Sequence, residues 1–154
     1  IAGLKISNPT TLTTTIVTDN DKAMFIFGAT AAFSTTALSS NANILFVYSV
    51  GGSDYITDTG LAVVANREYH LKIKINKHKK ISIFINGVQY GLTATSGVNS
   101  SSKYGDTATN SYDESVAMSN VSLYPVAGIQ ITSTEARSLI VNYIKCSRDS
   151  KKVS

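Results

Sequence analysis

YHLKIKINKHKKISIFINGVQYG, residues 69–91, is the stretch that decides the fold. Tyr69, Leu71, Ile73 and Ile75 share one parity, and His70, Lys72, Lys74 and Asn76 share the other. A strand turns successive side chains to opposite faces, so this run predicts a half-buried strand with a wet, basic outer face. After the polar residues 77–80, Ile81, Ile83 and Ile85 resume the apolar parity. Asn86-Gly87 then predicts a type I′ hairpin turn, which needs positive φ at both central residues. Residues 88–92 are the return strand. Leu71, Ile73, Ile75, Ile83 and Ile85 are expected to face inward together. The unit is an antiparallel meander, and it names no chemistry.

Working outward, strands are predicted at 1–6 (IAGLKI), 11–17 (TLTTTIV), 23–28 (AMFIFG) and 43–50 (NILFVYSV). Short strands at 55–56 and 61–65 flank Asp58-Thr59-Gly60. Strand character returns over 121–132, around Pro125 and Gly128, and a last strand is expected at 139–146 (LIVNYIKC). Asn8-Pro9, residues 18–21 and residues 51–54 read as turns. The small residues of 29–43 fit a loop or a poor helix. Residues 93–119 form a long polar segment of Ser, Asn, Thr, Gly and Asp. Such segments in compact domains are usually functional or mobile. Short strands at close spacing, with no helical periodicity, predict an all-β antiparallel sandwich or barrel. One domain is expected over 1–146, with a polar tail at 147–154.

Composition narrows the class. A chain of 154 residues, 43% hydrophobic, can bury a real core. Charged residues make up only 16%, and Ser, Thr, Asn and Ala are abundant, so the surface is polar but weakly charged. Of 14 basic residues, five are Lys72, Lys74, Lys77, Lys79 and Lys80. Lysines along a strand edge guard against edge-to-edge aggregation, and a phosphate or acidic patch is the alternative. No aromatic residue interleaves with them on the outward parity, which argues against nucleic acid. Cys146 is the only cysteine, so no internal disulfide forms, and its apolar run predicts a buried, inert thiol. No run of 18 apolar residues spans a membrane, and no signal peptide stands out. The chain starts at Ile1 rather than Met, which reads as processing or as part of a longer protein.

The pieces Tyr69-His70-Leu71 and Ile83-Phe84-Ile85-Asn86-Gly87 resemble the central hairpin of concanavalin A-like and laminin G-like jelly rolls. Val141-Asn142-Tyr143-Ile144-Lys145 is similar to that family's last strand. The resemblance implies a concanavalin-like jelly-roll β-sandwich. Such modules serve as lectins, as glucanases and as surface proteins of phage and other virions. The low charge and the Ser/Thr/Asn/Ala richness resemble the last group most. The expectation is a non-enzymatic structural or attachment module on a virion surface or otherwise extracellular, as a capsid decoration or tail or fibre component. A carbohydrate-binding, lectin-like module that meets cell-surface glycans is the alternative.

The candidate chemistry agrees with that weighting. Jelly-roll glucanases resembling this fold carry E-x-D-x-x-E on one strand face, and no such run is present. Nearly all the acids sit at expected turns or loops. His70 falls on an outer strand face and His78 at a lysine-rich tip, poor settings for a general base. Two histidines and one cysteine give no zinc spacing. No cofactor is expected, with one reservation. Asp19 and Asp21, flanking Asn20, place oxygens in one turn and are the candidate calcium ligands. Asx clusters also form turns unaided. With no Trp, Tyr104 and Tyr112 in the long polar segment are the candidate sugar platforms. Asn99-Ser100-Ser101 and Asn120-Val121-Ser122 match the glycosylation pattern, which chance supplies in so Asn/Ser-rich a chain. The partners expected are copies of this chain or other virion proteins, with segment 93–119 and the N-terminal segment among the contacts.

Overall fold

The structure, a computed structural model, describes residues 2–5, 21–27, 42–50, 53–76, 79–92, 97–100, 123–128 and 138–147. Within them lie nine strands and no helix: β1 Ala2–Lys5, β2 Lys22–Phe27, β3 Asn43–Val50, β4 Ser53–Ala62, β5 Leu71–Ile75, β6 Ile81–Ile85, β7 Val88–Tyr90, β8 Gly97–Ser100 and β9 Tyr124–Ala127. They make a six-stranded sheet in the order β8-β4-β3-β2-β1-β9 and a three-stranded sheet in the order β5-β6-β7. Neighbours are antiparallel, except that β8 runs parallel to β4. The expected all-antiparallel arrangement is corrected at that edge. The long polar segment 93–119, read as a loop, contains strand β8.

One core joins the two sheets. Ala23 and Phe25 of β2 and Ile44, Phe46 and Tyr48 of β3 pack with Ile81, Ile83 and Ile85 of β6, Tyr90 and Leu92. Phe25 meets Phe46 edge-on at 5.0 Å, and Tyr48 stacks on Tyr55 at 4.8 Å. Register explains this set: Phe25 lies opposite Phe46, and Ile83 lies between Ile73 and Tyr90. The other parity of β2 and β3 is buried too, at Lys22, Met24, Ile26, Leu45, Val47 and Ser49. Continuous apolar runs such as AMFIF and ILFVY mark strands covered on both faces.

The hairpin follows its sequence. Asn86 and Gly87 have φ of 52° and 81°, the positive values of a type I′ turn. The Asn86 side chain also accepts the His70 N–H at 2.8 Å. Ile81, Ile83 and Ile85 are buried, and Leu71 and Ile73 half-buried, but Ile75 is 36% exposed. Ile75, the last residue of β5, keeps the inward parity opposite the buried Ile81 but lies outside the core cluster, which corrects the expectation that it packs there with Leu71 and Ile73.

Asp58-Thr59-Gly60 does not separate two short strands. It is an irregularity inside one strand, β4, where register shifts between Asn43 and Leu45. Gly60 takes φ of 67° there, a value that favours glycine. The Thr59 hydroxyl donates to the Ile44 carbonyl at 2.6 Å, and the Asp58 carboxylate accepts Gly60 N–H at 2.8 Å and Asn43 Nδ2 at 3.0 Å. Polar residues that read as a turn thus satisfy a bulge.

The expected strand at 139–146 is absent. Residues 138–147 carry no strand, and all are exposed. Cys146 is exposed with them, which corrects the expected buried thiol. Among the described residues none pairs its backbone, and β-propensity alone does not make a strand.

Candidate functional site

The residues singled out in the sequence separate into three groups. Asp19, Tyr104 and Tyr112 lie outside the described residues. Asp21 is described, at the bend before β2, 6% exposed, and its Oδ1 has no hydrogen-bond partner among the described residues. Among the described residues no group of three or more His, Cys, Asp or Glu comes together to hold a metal. The hairpin residues form the third group, and each does structural work. Tyr69 is the clearest. Its hydroxyl accepts the Val64 N–H at 2.8 Å and its ring meets Phe27 edge-on at 5.6 Å, so it pins the crossing from the large sheet to the small one. Leu71, Ile73, Ile83 and Ile85 fill the core, and Asn86 and Gly87 make the turn.

The outer face of the small sheet is a surface that the parity argument read incompletely. Register sets Lys72 opposite Phe84 and Phe84 opposite Gln89, with Lys74 opposite Ser82. Phe84 is therefore an outward aromatic among lysines, and Lys72 Nζ lies 5.2 Å from its ring centroid, a cation–π distance. This overturns the argument that no aromatic interleaves with them. The signal was in the sequence, since Phe84 has the even parity of Ser82. Parity along a single strand does not show it, because Phe84 and Lys72 sit on different strands. No acidic residue occurs in the sequence between Glu68 and Asp106, so the hairpin itself is wholly basic.

At the start of β5, Glu68 and His70 stand 3.8 Å apart, each side chain 64% exposed. An exposed pair of this kind contributes little to stability. Glu68 Oε1 also accepts Asn142 Nδ2 at 3.1 Å, which ties the C-terminal segment to this corner. That segment exposes Leu139, Ile140, Val141, Tyr143 and Ile144 to between 46% and 83%. Five neighbouring large apolar residues thus stand in water on one segment.

The edge of β5 beside it is open. Asn86 N–H donates to the His70 carbonyl and Asn76 N–H to the Lys80 carbonyl. Antiparallel pairs alternate between bonded and non-bonded positions. The even-numbered residues of β5 therefore bond to β6, and Leu71, Ile73 and Ile75 turn their N–H and C=O groups outward. Among the described residues no strand pairs with that side. Comparison with protein-family models, with curated proteins and with solved structures returned no match.

Proposed function

We propose that this chain is a non-enzymatic structural or attachment module of a virion surface, a capsid decoration or a tail or fibre component, built as a concanavalin-like jelly roll. The observation that carries the reading is the exposed apolar segment 139–144, tied through Asn142 to Glu68 just ahead of β5, together with the outer edge of β5, which no strand among the described residues pairs. A protein that leaves such surfaces in water is suited to assembly with other protein. The weakly charged, Ser/Thr/Asn-rich composition supports the virion setting by resemblance. Mass measurement of the purified chain at micromolar concentration tests it. Concentration-dependent oligomers are expected, and a strictly monomeric chain that also fails to join a larger particle refutes it.

A second reading has its own observation. Phe84, flanked by Lys72 and Gln89 on an open sheet face, offers a flat apolar ring beside a cation and an amide. Those groups suit the C–H face, acid group and hydroxyls of an acidic sugar. A glycan array decides between the two: saturable binding of acidic glycans that Phe84→Ala removes favours the lectin-like module, and silence favours the scaffold.

A further inference from the structure

We propose that the segment Leu139 to Cys146 of one copy adds as a fourth strand to the open edge of β5 in a second copy. The inference rests on the reading of the chain as an assembling module and names its contact. Both halves of the contact are present in each molecule. The donor is an unpaired run, LIVNYIKC, whose apolar members stand in water. The acceptor is the row of outward N–H and C=O groups at Leu71, Ile73 and Ile75, whose side chains are only partly covered. Strand addition satisfies the first with main-chain hydrogen bonds and covers the second with side chains.

The donor does not serve its own edge. The Asn142–Glu68 hydrogen bond sets where it passes the molecule. Extended chains advance equally per residue, so three residues back from Asn142 match three residues on from Glu68. In an antiparallel course Leu139 would reach Leu71, and in a parallel course Lys145 would. In both cases no more than the end of the described segment reaches Leu71, and the apolar run 139–144 does not lie along 72–75. A second copy has no such tether and can place the whole run along β5. Two copies exchanging segments give a closed, two-fold contact. Lys72 and Lys74 guard this edge against indiscriminate pairing. Residues 139–144 carry no charge, and Lys145 near the end of the donor is the one cation it brings.

Complementation between two full-length variants tests the proposal. The first, Ile140→Asp with Val141→Asp and Ile144→Asp, spoils the donor at exposed positions and keeps the edge. The second, Ile75→Pro, removes an outward N–H and keeps the donor, as an edge strand tolerates. Equal urea midpoints confirm that both remain folded. Sedimentation of each alone should show self-association weakened by about a hundredfold or more. An equimolar mixture should recover a heterodimer, because the intact donor of the second meets the intact edge of the first. Variants that associate as the parent does, or a mixture that stays monomeric, overturn the proposal while leaving the assembly reading standing. A parent that never associates, alone or on a particle, removes both.

Discussion

Ile83 offers the sharpest measure of the core. It is fully buried, at the middle of β6, with Ile73 on one side and Tyr90 on the other. Ile83→Ala removes three carbons. At about 0.8 kcal/mol per buried methylene the transfer loss is about 2.4 kcal/mol. The cavity left between rigid neighbours raises it to about 3–4 kcal/mol. With a urea slope of about 2 kcal/mol/M, the midpoint should fall by about 1.5–2 M with the slope unchanged. Ile73→Ala makes the same deletion on the half-buried edge strand, where water fills the space and roughly half the transfer term is at stake, so about 1–1.5 kcal/mol is expected. The ratio carries the test, since both variants lose the same atoms. Equal losses at the two positions, or a tolerated Ile83→Ala, would mean that β6 is not the inner strand of the small sheet and that the register is wrong.

Four other outcomes follow from particular contacts. Gly3→Ala should destabilise by about 2 kcal/mol, read by urea titration, because a Cβ there meets the Ala23 carbonyl and the Met24 backbone of the adjoining strand. Burial pushes the Tyr90 phenol above its ordinary value, so its stabilising contribution is intact below the ordinary phenol range and is lost as pH rises through the raised folded value. Tyr90→Phe should therefore flatten the alkaline fall in stability. Asp21→Asn should raise stability by about 1 kcal/mol in metal-free buffer, by easing a buried carboxylate with an unpartnered oxygen. A melting temperature that rises in millimolar calcium for the parent alone would instead mark that oxygen as a ligand. Amide exchange at low concentration should alternate along β5, slow at Lys72 and Lys74 and fast at Leu71, Ile73 and Ile75, and uniform protection would show the edge to be already paired.

The hairpin was legible because every local signal in it agrees: strict alternation, a turn dipeptide and an apolar row of matching parity. Strands β2 and β3 were legible for a different reason, as apolar runs too short for a helix. What failed in the sequence depended on neighbours. Asp58-Thr59-Gly60 reads as a break until Ile44 supplies the acceptor that lets the strand pass through. LIVNYIKC has the composition of a strand and stands unpaired, because propensity describes fit to a sheet and not the presence of one. Phe84 needed cross-strand register to reveal that it stands beside Lys72. The hairpin set was read as structural, and its residues make the turn and pack on the core.

The unequal patterning of the two sheets localises the working surface. Both parities of β2 and β3 are buried, so the middle of the large sheet has no face to offer a partner. The small sheet alternates: Ile81, Ile83 and Ile85 lie inside, whereas Lys72 and Lys74 are exposed and Ser82 and Phe84 only half-covered. Its outer face meets water, and no strand among the described residues pairs with its β5 edge. A sheet of three strands is marginal on its own and gains from each strand added. The same feature that weakens this sheet as a fold, an unpaired edge, makes it the place where binding another chain yields the most. An exposed apolar segment tied by Asn142 to the residue three positions before that edge is the material from which such a strand is made.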